Sequence, residues 1–275
     1  MSSVTLHSAN PALTNENAFN PFAYGDGRVA PSNVCTMSGV IGKTALLVTI
    51  AMIAGAGGYW WFLRNPGTLW IASIAAFIVS MGIFFVMYGK PQLSKVFAPV
   101  YAVTQGAFLG GFTAIAEQIL ANSGRAVPGG LAFQALVATF GVFAAILILY
   151  QTGMVRPSRR LAAIIGVATL GIAITYLLSF VLSFFGIQMP FINLGSTLDT
   201  GRAGFIGLGL NVLILGVAAF SLVMDFGRIE ANVQAGAPKY MEWYSGFALL
   251  VTLAWIYFEA VKLIMRLAVL FGRRD

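Results

Sequence analysis

The chain has 275 residues, 59% of them hydrophobic and only 9% charged, with a mean hydropathy of +0.85. A soluble domain carries about 25% charged residues, so this composition excludes one and describes a polytopic membrane protein. The net charge is +7 and the pI about 9.8; in a lipid-embedded chain that reads as short basic loops beside anionic headgroups, with no nucleic-acid partner expected. Cys35 is the only cysteine, which removes an internal disulfide or a thiolate metal site. His7 is the only histidine and lies in a polar tail, so histidine catalysis and most zinc chemistry are removed as well.

Residues 1–38 are rich in Asn, Ser and Pro and lack a basic stretch followed by an apolar core. They read as a disordered polar tail, not a signal peptide. A membrane span needs about 20 apolar residues. Seven runs qualify: 39–63, 68–88, 96–121, 131–150, 161–185, 201–226 and 244–271. Tyr59, Trp60 and Trp61 close the first run as an interfacial aromatic belt. The turn Arg64-Asn65-Pro66-Gly67, the basic loop 89–95, the turn 122–130 and the strongly basic loop 151–160 separate the first five. A longer loop, 186–200, precedes the sixth, and a polar linker precedes the seventh. The fold class expected is all-α, a seven-helix membrane bundle spanning 39–272; the alternative is six spans with the charged last segment re-entrant. With the N-terminus inside, inner segments hold nine basic residues against five outside, which favours an inward N-terminus. The glycine-rich stretch 201–209 opens an apolar span and reads as helix packing, not a phosphate loop.

The acids near the spans are Glu117, Asp225, Glu230, Glu242 and Glu259. Glu117 reads as an interfacial acid, and Glu230 and Glu242 flank the last linker. Asp225 ends the sixth run and Glu259 lies well inside the seventh. An ionisable group at membrane depth costs roughly 2.5–3.5 kcal/mol on insertion scales and marks a functional site by default. Two readings remain open. Arg228 and Lys262 each follow an acid by three residues and make ordinary intrahelical ion-pair partners. Alternatively, the two acids share a proton, sense pH and, when ionised, offer oxygen ligands to a hard cation such as Ca²⁺. No GxSxG element and no histidine base near a serine supports an enzyme, and no catalytic residue or cofactor is expected.

Residues 101–113 (YAVTQGAFLGGFT), 223–230 (VMDFGRIE) and 256–272 (IYFEAVKLIMRLAVLFG) resemble the Bax inhibitor-1, or transmembrane Bax inhibitor motif, family. The stretch 236–259 is similar to its bacterial branch. The resemblance implies a seven-helix bundle with the last helix surrounded by the other six. It implies a pH-sensitive Ca²⁺ leak gated by a paired acid, Asp225 matching the first and Glu259 the second, both tentative Ca²⁺ ligands. It further implies a multi-pass protein of a bacterial inner membrane whose partners are lipid, Ca²⁺ and protons. The alternative is a non-conducting regulator that binds other membrane proteins, such as a quality-control protease.

Overall fold

The computed structural model describes residues 34–187 and 189–272; the tail expected over 1–38 lies outside these up to residue 33. Among the described residues the chain forms seven long helices and no strand. They are α1 (Met37–Arg64), α2 (Leu69–Gly89), α3 (Ser94–Asn122), α4 (Leu131–Gln151), α5 (Arg159–Ser183), α6 (Gly201–Gln234) and α7 (Met241–Phe271). Six are long and apolar enough to cross a membrane. The exception by composition is α3, 29 residues long but diluted by Gly, Thr, Gln and Glu117. The charged α7 is one unbroken helix of 31 residues, so a re-entrant last segment does not occur.

Local chemistry places the helix ends. Thr36 caps α1, its hydroxyl accepting from Gly39 N at 3.1 Å, and Ser158 caps α5 by accepting from Leu161 N at 3.2 Å. Helix α6 runs eight residues past the expected end at 226, because EANVQ contains nothing that breaks a helix. It stops where Gly236 takes φ +75° ahead of Pro238.

Small residues set the closest helix pair. A Cβ on Gly106 or Gly110 of α3 would collide with the α1 backbone at Ala51 or Gly55, so glycine lets α1 and α3 touch. Burial is unequal. In α5 three of 25 residues are buried, and its Ile164, Val167, Leu170 and Leu177 point outward as a lipid-facing surface would. In α7, 21 of 31 are buried. Helices α1, α3, α4 and α6 pack directly on α7. Phe84 of α2 meets Phe247 with ring centroids 5.8 Å apart, and Tyr176 of α5 hydrogen-bonds Lys262.

The N-terminal end of α1 is stitched to the α6–α7 linker. Cys35 N donates to Ala237 O at 2.8 Å, and Val34 bridges Pro238. Glu242, 4% exposed, accepts from Thr36 N at 3.2 Å and Thr36 Oγ1 at 3.0 Å. Burial, reinforced by the Glu242 charge, pushes the Cys35 thiol up to about 12.

Candidate functional site

Glu259 is fully buried, 18 residues into α7, or about 27 Å along the helix. Three donors converge on its carboxylate. Asn211 Nδ2 of α6 donates at 2.7 Å, the Tyr176 hydroxyl of α5 donates, and Lys262 Nζ stands at 3.4 Å. Asn211 Nδ2 also reaches the Glu259 backbone carbonyl at 3.3 Å. Lys262 is 2% exposed; its ammonium donates to Tyr176 Oη at 2.7 Å and lies 4.9 Å and 5.4 Å from the Tyr176 and Phe258 rings. A buried charge of this kind is tolerated because it is paired and hydrogen-bonded.

One turn further, Arg266 is 1% exposed. Its guanidinium donates to Phe191 O at 2.8 Å, Ser196 O at 3.0 Å and Ser196 Oγ at 3.1 Å. Gly207 of α6 leaves it room, since a Cβ there would strike the guanidinium. The α5–α6 loop is thus pinned to α7 through one side chain. Glu259, Lys262 and Arg266 follow at i, i+3 and i+7, which puts them on one helix face.

Asp225 is also fully buried and accepts from Thr252 Oγ1 of α7 at 2.6 Å. Arg228 follows one turn on, 9% exposed. Thr252 and Glu259 are seven residues apart, about 10 Å along α7, while Asn211 and Asp225 are 14 apart, about 21 Å along α6. The two acids are therefore held at different levels of the α6–α7 pair. The structure brings Lys262 to Glu259 as the i,i+3 spacing suggests; Asp225 is not among the hydrogen-bond partners of Glu259. Coulomb energy falls with distance. The Glu259–Lys262 contact at 3.4 Å is therefore the dominant charge interaction of Glu259.

The remaining acids have structural partners. Glu117 accepts from the Tyr59 hydroxyl and, at 2.7 Å, from Leu131 N, so it caps α4 from α3. Glu230 accepts from Tyr150 Oη at 2.5 Å and Gln234 Nε2 at 3.4 Å. The sequence reading did not select Asn211, Tyr176, Thr252 or Arg266. Asn211 carried a usable signal as a polar group alone in an apolar run, and Arg266 as a further charge set in the apolar sequence of the last helix. Tyr176 and Thr252 are ordinary in such runs and carried none.

Two buried carboxylates on α6 and α7, one bound into a lysine–tyrosine–asparagine cluster, fit the resemblance drawn from 223–230 and 256–272. A family model described as Bax inhibitor 1 like matches residues 9–269. The chain belongs to that family. No curated protein and no solved structure is found to match it. Family membership makes this a Bax-inhibitor-like protein of the lipid bilayer, with six helices that qualify as spans.

Proposed function

We propose that the protein is a proton-sensitive cation leak of the membrane, with Ca²⁺ as cargo, and that Asp225 and Glu259 are its sensing groups. The observation that carries the reading is their complete burial on adjacent helices that are each long and apolar enough to cross a membrane. In this reading α7 is the axis of the bundle and the acids act at two levels along it. Protonating Glu259 removes the countercharge of Lys262 and loosens the α5–α6–α7 contact; protonating Asp225 changes its bond to Thr252 from charged to neutral. Ionised, both carboxylates face an entering cation with oxygen ligands of the kind Ca²⁺ prefers. Ca²⁺ enters this reading as a passing ion. The membrane is proposed to be a bacterial inner membrane, on the resemblance of residues 236–259, with the N-terminus cytoplasmic on the balance of basic residues between its two sides.

The test is purified protein in liposomes loaded with a Ca²⁺ dye, with external pH varied. The wild type should pass Ca²⁺ at a pH-dependent rate, and Glu259→Gln and Asp225→Asn should each flatten that dependence. If both variants keep wild-type flux and pH response, the acids are structural. If the isolated protein moves no Ca²⁺ at all, a non-conducting regulator of other membrane proteins replaces the leak.

A further inference from the structure

A fissure opens on the flank of the bundle. α1 and α4 form its long walls, α6 (residues 226–234) closes one end and α3 (residues 106–113) the other, and α7 forms its floor at Leu249, Leu250 and Leu253. Two cavities make it up. The one nearer the N-terminal end of α1 has a volume of about 1060 Å³, and the one toward its C-terminal end about 630 Å³. They share Val48, Phe140 and Leu253 as common wall. Along α1 the first runs from Met37 to Val48 and the second from Val48 to Trp60. Those are 11 and 12 residues, about 17 Å each and close to one leaflet of a hydrocarbon core about 30 Å thick.

The polarity of the fissure is graded. The cavity toward the C-terminal end of α1 is lined by Ala, Gly, Leu and aromatic side chains with Thr113 and Thr139 as its only side-chain hydroxyls besides Tyr59 and Tyr257. The outer cavity ends in a polar mouth of Tyr150, Gln151, Arg156, Glu230 and Gln234. Among all its lining residues only Arg156 and Glu230 are charged, one of each sign. Glu230 is held at the mouth by Tyr150 Oη at 2.5 Å and Gln234 Nε2 at 3.4 Å, and Arg156 folds against Gly153, which takes φ +72°.

An apolar slot one leaflet deep, opening at paired opposite charges, matches one amphiphile chemistry. We infer that the α1–α4 fissure is a binding site for an aminophospholipid: the phosphate on Arg156, the primary ammonium on Glu230, and an acyl chain against Val48, Phe140 and Leu253. Arginine to phosphate and ammonium to carboxylate are both charge-assisted hydrogen bonds. A choline headgroup has no N–H to give Glu230, and a glycerol headgroup has no cation for it. The site therefore prefers phosphatidylethanolamine over phosphatidylcholine and phosphatidylglycerol. The lipid would cover the floor of α7 and hold α1 and α4 apart.

The test uses the full chain in phosphatidylcholine nanodiscs doped with a phosphatidylethanolamine probe that carries a photoreactive group on one acyl chain. Labelled peptides are mapped by mass spectrometry, and unlabelled phospholipids compete. Labels are expected on α1, α4 and α7 around Val48, Phe140 and Leu253, with phosphatidylethanolamine the best competitor. Glu230→Gln should lower that preference by about tenfold, the worth of one charge-assisted hydrogen bond. Ala45→Trp, at an exposed position on the fissure wall, should abolish the fissure label while leaving the protein monodisperse. Labels spread evenly over the outward faces of α2 and α5 overturn the inference. So do equal competition by the three headgroups, and a fissure found filled by a helix of a second copy. Failure here leaves the calcium reading standing, because no flux is measured.

Discussion

Glu259 and Lys262 stand 3.4 Å apart with 0% and 2% exposure, so Glu259→Gln converts a buried pair into a buried lone cation. Breaking such a pair from one side costs about 3–5 kcal/mol. Lys262 keeps the Tyr176 hydroxyl at 2.7 Å and two ring faces, which offset about 1–2 kcal/mol. The expected net loss is about 1–4 kcal/mol. Lys262→Met should cost a similar amount, because Glu259 then retains only Asn211 and Tyr176. The double variant removes both charges and should cost far less than the sum, with a coupling energy of about 2–3 kcal/mol. Unfolding in mixed micelles, followed by tryptophan fluorescence, measures all four corners; Trp255, one turn before Glu259 and half-buried, is a near reporter. Additive losses, with coupling under about 0.5 kcal/mol, would refute the claim that this pair acts as a unit.

Gly106→Val should cost about 3 kcal/mol or more by driving a side chain into the α1 backbone at Ala51, seen in the same unfolding assay. Arg266→Met strips three hydrogen bonds from the α5–α6 loop; about 2–4 kcal/mol of stability should go, with new protease cleavage between residues 186 and 200. At pH 9 an ordinary thiol of pKa 9.0 is half ionised, whereas Cys35 at about 12 is ionised to about one part in a thousand, so maleimide labelling should be slow. Glu242→Ala frees Thr36 and should speed that labelling at least about tenfold. The Cys35 pKa is raised on folding, so its contribution to stability is complete below pH 9 and is lost as pH climbs toward 12; denaturation midpoints across that range check the sign.

Helix positions were readable in the sequence because lipid demands long apolar runs, and turns such as Arg64–Gly67 interrupt them plainly. The end of α6 was not, since hydropathy falls at Asp225 while helix propensity persists to Gln234. The acids on α6 and α7 were also readable, as charges set in apolar sequence. Their partners were legible only where they lay on the same helix. Lys262 follows Glu259 by three residues, but Tyr176 and Asn211 come from helices 83 and 48 residues away. The axial level of Asp225 relative to Glu259 depends on the path of the 235–240 linker. That path is set by its contacts with Cys35 and Ser94, and no pattern within the linker encodes them.

The unequal burial of the helices bears on how the protein is made. Helix α7 begins 177 residues after α1 ends, which at about 5–20 residues per second is roughly 10–35 s of synthesis. Through that interval α1 and α3 can already close on their glycines, but Asn211 and Tyr176 wait in lipid for the carboxylate and ammonium they will serve. The six earlier helices are thus a half-built vessel whose polar seams are sealed by the seventh, and a ribosome that stalls before residue 259 leaves those seams open to the proteases that patrol the bilayer.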